Sequence, residues 1–211
     1  MKYLKVLGLA AVAAMVVMAF GAGSASAAVK LCVKGVSDGK CPTGKEEYNG
    51  SHIEAKVTNP PGAVLTTNIT TVTCTESVVT LSSKGATEPT GEVTNLSFTG
   101  CKTSANQACT VEVVNLPYTS HIEGAVEGTN TSKLRVTDEV GAGAKVVCGF
   151  VINCTFTTKE ATLTGHNITT PTTTEFTAVK VPLTRNGGIC PTTAEWTASY
   201  SVTTPEGFTV H

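Results

Sequence analysis

The sequence is short of charge, of aromatic rings and of aspartate. Charged residues are 15% of the 211 and aromatic residues 5%, with a single tryptophan. No block of like charge occurs, so the electrostatic footprint of a nucleic-acid-binding surface is missing. Lys30, Lys34, Lys40 and Lys45 form only a loose basic cluster, which reads as a solvated face. A G-x-S-x-G nucleophile elbow is absent, and Asp38 and Asp138 are the only aspartates. Glu46 and Glu47 are adjacent, but adjacency does not set the separation that a glycosidase pair needs. None of the cysteine spacings is the C-x2-C knuckle of a zinc ribbon. Beyond the first 27 residues there is no capped helical periodicity, and no further apolar run reaches the ~20 residues of a membrane span.

What is present begins with an export signal. Lys2 and Lys5 precede a 15-residue apolar run, Val6 to Phe20, and Ala25-Ser26-Ala27 supplies the small-residue cleavage signature. Residues 1–27 are expected to be a secretory signal peptide of bacterial type. The remaining 211 − 27 = 184 residues are enough for one domain with a real core. Without Lys2 and Lys5 the balance is 13 basic against 16 acidic residues, a net charge of −3. The expected product is secreted, with no nucleic-acid partner and no stable membrane insertion after cleavage.

All eight cysteines follow the cleavage site, and an even count in an exported chain reads as four disulfides. Cys32 and Cys41 sit around the turn dipeptide Asp38-Gly39, which predicts a disulfide-clipped N-terminal loop over residues 28–46. Closing so short a loop is worth on the order of 2–3 kcal/mol. Residues 47–211 then form the single domain. Val146, Cys148, Phe150, Ile152, Cys154 and Phe156 share one parity, yet six extended residues span ~20 Å and a disulfide needs Cα atoms within ~7 Å. A fold-back between Gly149 and Asn153 with a Cys148–Cys154 bond is the favoured resolution. It leaves an apolar tip, Phe150-Val151-Ile152, that has to pack against something. For Cys74, Cys101, Cys109 and Cys190 three connectivities are open, and Cys101–Cys109 with Cys74–Cys190 is preferred.

About a fifth of the residues after the signal are threonine. β-branched residues favour strands, while Gly, Pro and Asn punctuate them. Strand signals occupy about eleven short runs from His52–Val57 to Ala194–Val202. In the last, Ala194, Trp196, Ala198, Tyr200 and Val202 share one face and read as core. The expected fold is all-β, an antiparallel β-sandwich stabilised by disulfides, with a β-barrel as the alternative.

Two patterns suggest chemistry. Ser-His-Ile-Glu occurs twice, and His-x-Glu on a strand puts both side chains on one face. His52, Glu54, His121 and Glu123 are therefore a candidate site for zinc or another divalent metal, the one cofactor the sequence suggests. The 121 − 52 = 69 residue offset also raises an internal repeat, although no further period supports it. Threonine pairs such as Thr71/Thr73 and Thr162/Thr164 raise a ladder that binds ice or polysaccharide, but they lack a fixed repeat length. Six N-x-S/T sequons, at Asn49, Asn68, Asn95, Asn130, Asn153 and Asn167, follow from threonine abundance.

Tyr48-x-x-Ser51-x-Ile53-x-Ala55, Cys109-Thr110-Val111, Cys148/Cys154 and Cys190-Pro191 before Trp196-x-Ala198-x-Tyr200 together give a resemblance. The chain resembles uncharacterised exported, disulfide-containing all-β proteins of Gram-positive bacteria. The resemblance implies export and an all-β fold, and no activity. The expected role is a non-catalytic extracellular or cell-envelope protein whose partner is a cell-wall polymer, a surface or another protein. The rival is a small secreted hydrolase or metal-dependent enzyme built on the two His-x-Glu pairs.

Overall fold

Small apolar residues alternating with threonine write strands over most of the chain. The computed structural model describes residues 29–36, 38–48, 50, 52–58, 60–84, 90–124, 130–150, 152–185 and 190–211. The expected signal peptide, residues 1–27, lies outside the described residues. The first strands are β1 (Leu31–Lys34), β2 (Lys45–Glu47), β3 (Ile53–Val57), β4 (Ala63–Thr66), β5 (Thr71–Ser83) and β6 (Thr90–Thr103). There follow β7 (Cys109–Val114), β8 (Tyr118–Glu123), β9 (Thr131–Cys148), β10 (Ile152–Thr169), β11 (Thr172–Arg185), β12 (Thr193–Thr204) and β13 (Thr209–Val210).

The expected sandwich gives way to a closed barrel. A sandwich is two sheets with free edges. Here β12 pairs with β3 and β4, and β9 pairs with β10, so the sheet runs β10-β11-β12-β3-β5-β6-β8-β9 and returns to β10. Closure removes most of the edges that would otherwise invite pairing with other chains.

The topology simplifies further. β3 and β4 run in one direction along β5, with Ile53 opposite Leu81 and Thr66 opposite Thr71. They are the halves of one strand, interrupted where Pro60 and Pro61 offer no N–H and Gly62 takes a φ of 83°. β7 and β8 are likewise halves of one strand along β9, interrupted at Asn115, with a φ of 65°, and Pro117. Counting each pair once, eight antiparallel strands follow round the barrel in chain order, an up-and-down meander.

This order settles the internal echo. His52 precedes the first broken strand and His121 lies on the second, three strands later and running the opposite way. Duplication of a four-strand half-barrel would place the copies parallel, so the Ser-His-Ile-Glu recurrence is not a structural repeat.

A belt of irregularity crosses several strands of the barrel wall. Two consecutive exposed residues switch the inward parity at Thr75–Glu76, Thr99–Gly100, Lys159–Glu160 and Val179–Lys180, and Glu139–Val140 form an exposed pair on β9 without changing its parity. The register shifts between Thr158 and Glu160 and between Ala178 and Val181 lie in this belt. Bulges bend a strand and increase its twist, which tight closure requires.

One end of the barrel carries a second, three-stranded sheet in the order β13-β1-β2. Residues 31–34 and 45–47 are thus strands where a loop is expected. Leu31, Phe208 and Val210 are buried beneath this sheet. The Asn167 amide donates to the Val210 carbonyl at 2.7 Å and accepts the Val210 N–H at 3.2 Å, tying β10 to β13. The Cys32–Cys41 disulfide forms as expected. Within its loop the Asp38 carboxylate accepts the N–H groups of Lys40, Cys41 and Glu47, which hold it below the usual carboxylate range.

The other end carries the remaining disulfides, and their pairing differs from expectation. They are Cys74–Cys101, Cys109–Cys148 and Cys154–Cys190. The fold-back at Gly149 is present, but Cys148 stands opposite Ile152 and Cys154 opposite Val146. On its other flank Cys148 faces Cys109 directly, with Cα atoms 4.2 Å apart, and Cys74 faces Cys101 at 3.9 Å. Register selects these partners, and proximity in sequence does not. The Phe150 tip, expected to pack, is fully exposed. Four disulfides place the folded chain in an oxidising environment.

Candidate functional site

The two His-x-Glu pairs do not come together. Ile53 and Ala55 are buried on β3, and Ser120 and Ile122 on β8, so alternation turns Glu54, His121 and Glu123 to the outer wall. β5 and β6 lie between β3 and β8, which separates the pairs by roughly 14 Å along the sheet. Glu123 instead meets Arg135 at 3.0 Å, Glu54 meets Lys56 at 3.5 Å, and the Tyr48 hydroxyl donates to the His52 carbonyl. Among the described residues no group of three or more His, Cys, Asp or Glu converges on a point. The four-residue metal site expected from the sequence is therefore not assembled, because spacing fixes the face of a strand and says nothing of which strand lies beside it. The threonine pairs stand on several strands of a curved wall, so they make no flat array.

The lumen presents a different chemistry. An eight-stranded barrel has an interior just wide enough for side chains to fill it or for one small ligand. Here Ala55, Ala63, Ala142, Ala144 and Ala161 line the lumen, with the Gly143 backbone between two of them, and they leave a cavity of about 140 Å³ at the level of the bulge belt. Val79, Leu96, Phe98, Val111 and Trp196 border it and stay half-buried, while Leu81, Val93, Val146 and Tyr200 around them are buried. No charged side chain lines the cavity among the described residues. The outer wall carries the Thr, Lys and Glu residues, the reverse of an outer-membrane barrel, which turns its apolar band to lipid.

The few polar groups at the cavity are mostly committed. The Tyr200 and Ser77 hydroxyls bond each other at 2.8 Å, and burial pushes the Tyr200 phenol up to about 12. The Tyr118 hydroxyl donates to the Val114 carbonyl and accepts the Gly143 N–H at 3.2 Å, and burial raises its pKa as well. Thr158 donates to the Glu160 carbonyl at 2.8 Å. Among the described residues, Trp196 Nε1 alone is buried without a hydrogen-bond partner.

The wall beside the cavity is incompletely laced. β6 pairs with β8 from Thr90 to Val93, and its only bridge to the β7 segment joins Lys102 to Ala108. Between these points residues 94–101 and 109–117 face each other without a ladder, among the described residues. Leu96, Phe98, Val111 and Val113 flank this seam. The cavity is partly open rather than sealed.

Sequence reasoning missed this site. Its signal is the recurrence of alanine on the inward parity of several strands, in a chain with few rings to fill a barrel. That signal acquires meaning only once the strands are known to close. No protein-family model, no curated protein and no solved structure matches the chain.

Proposed function

We propose that the protein is an exported, non-catalytic binding protein that holds a small, neutral, apolar molecule in the lumen of its barrel. The observation that carries this reading is the apolar cavity of about 140 Å³ inside a wall whose outer face is polar. A cavity of that order, lined by apolar side chains, stays dry and takes a benzene-sized guest. Drug-sized ligands occupy roughly 300–1,000 Å³, so the guest is one ring or a short branched chain. The absence of lining charge disfavours carboxylates and ammonium ions, whose desolvation would go uncompensated. Four disulfides suit the extracellular setting expected from residues 1–27, and the resemblance to exported all-β proteins agrees with it.

Calorimetric titration with ethylbenzene tests the reading. Eight non-hydrogen atoms at about 0.7 kcal/mol each correspond to a dissociation constant on the order of 0.1 mM. The expected result is saturable one-to-one binding that Ala144→Leu weakens at least tenfold by filling the cavity. Non-saturable heats, or saturation unaffected in a folded Ala144→Leu protein, would sink the proposal.

A further inference from the structure

Trp196 sits on β12 between Leu65 of β4 and Val181 of β11, on the inward parity shared with Ala194, Ala198 and Tyr200. Its indole borders the cavity, and its Nε1–H is buried with nothing to accept it. Buried donors are nearly always satisfied, and an orphan is unfavourable enough to call for an explanation. A water molecule is a poor answer here, because a buried water needs two to four polar partners. The hydroxyls of Tyr200, Tyr118 and Thr158 are already engaged with Ser77, Val114 and Glu160. An indole N–H donates and cannot accept. The group that completes it is an uncharged acceptor, with the rest of the molecule apolar.

We infer that the lumen selects ligands carrying one hydrogen-bond acceptor, a ketone, aldehyde, ester or ether oxygen, which takes the Trp196 Nε1–H. This rests on the reading of the lumen as an apolar binding site and adds the functional group to it. A pure hydrocarbon fills the space but leaves the donor unpaired. A carboxylate finds no cation among the lining side chains.

Acetophenone and ethylbenzene have the same ring and nearly the same shape, and differ at the carbonyl. Their affinities are measured for the wild-type protein and for Trp196→Phe. Comparing the two ratios cancels the difference in their transfer from water. The wild-type ratio, acetophenone over ethylbenzene, is expected to exceed the Trp196→Phe ratio about fivefold, the worth of one neutral hydrogen bond. Because Trp196 is the only tryptophan, a ¹⁵N-labelled sample gives a single indole resonance, a readout that needs no variant. That proton is expected to move downfield with acetophenone and not with ethylbenzene. If both probes bind, the ratios agree and the indole proton ignores the ketone, the acceptor rule is overturned while the apolar site stands. If neither probe binds the wild-type protein, the lumen reading falls and takes the inference with it.

Discussion

Tyr200 shows how a single polar pair specifies the interior. Its hydroxyl and that of Ser77 are both buried and satisfy each other. Removing one partner leaves the other unsatisfied, whereas removing both leaves no orphan. Tyr200→Phe is expected to lower stability by about 1–3 kcal/mol in denaturant unfolding, and Ser77→Ala in the Tyr200→Phe background to recover most of it. Additive losses in that double-mutant cycle would show that the hydroxyls act separately. Lys180 offers the opposite test. It takes a φ of 50° in the bulge belt, a left-handed conformation that side chains disfavour by about 1 kcal/mol. Its N–H donates to the Thr197 hydroxyl at 3.1 Å, a bond a glycine keeps. Lys180→Gly is therefore expected to raise stability by about 0.5–1 kcal/mol, and a loss of stability on thermal unfolding would contradict the strain.

At the scale of elements, the strands differ in how well they are held. β9 and β10 pair almost end to end, whereas residues 94–101 of β6 lack a ladder toward β7. The amides of 94–101 that point away from β5, and their opposite numbers in 109–117, are expected to exchange hydrogen at least a hundredfold faster than those of the β9–β10 ladder. Equal protection would mean that the seam is closed in solution. Much of this was legible beforehand, and the limits are instructive. The alternation in Ala194–Val202 marks β12 and its buried face correctly, and the fold-back at Gly149 follows from chain reach alone. Between Val64 and Cys74 β-branched residues continue without a break in the pattern, yet β4 and β5 are divided there by a turn in which the Thr67 N–H reaches the Thr70 carbonyl at 2.9 Å. Cys148 and Cys154 share a parity and a hairpin, yet each bonds elsewhere. Pairing across a sheet depends on a neighbour strand, which local spacing does not encode.

The described residues form a barrel with the reverse polarity of a membrane pore: polar wall, apolar lumen, one end covered by the β13-β1-β2 sheet and the other stapled by three disulfides. Sandwich and barrel have the same alternation along each strand, so only closure separates them, and closure is a property of all eight strands together. The same holds for the site. His52, Glu54, His121 and Glu123 attract notice as residues of reactive type, while the feature the fold creates is made of alanines that no motif would single out. Crystals equilibrated with pressurised xenon probe that lumen. Xenon is expected in the lumen beside Phe98, Ala144 and Trp196, with no chain of ordered waters there. A lumen collapsed onto its own side chains, or one filled by hydrogen-bonded water that xenon does not displace, would contradict that expectation.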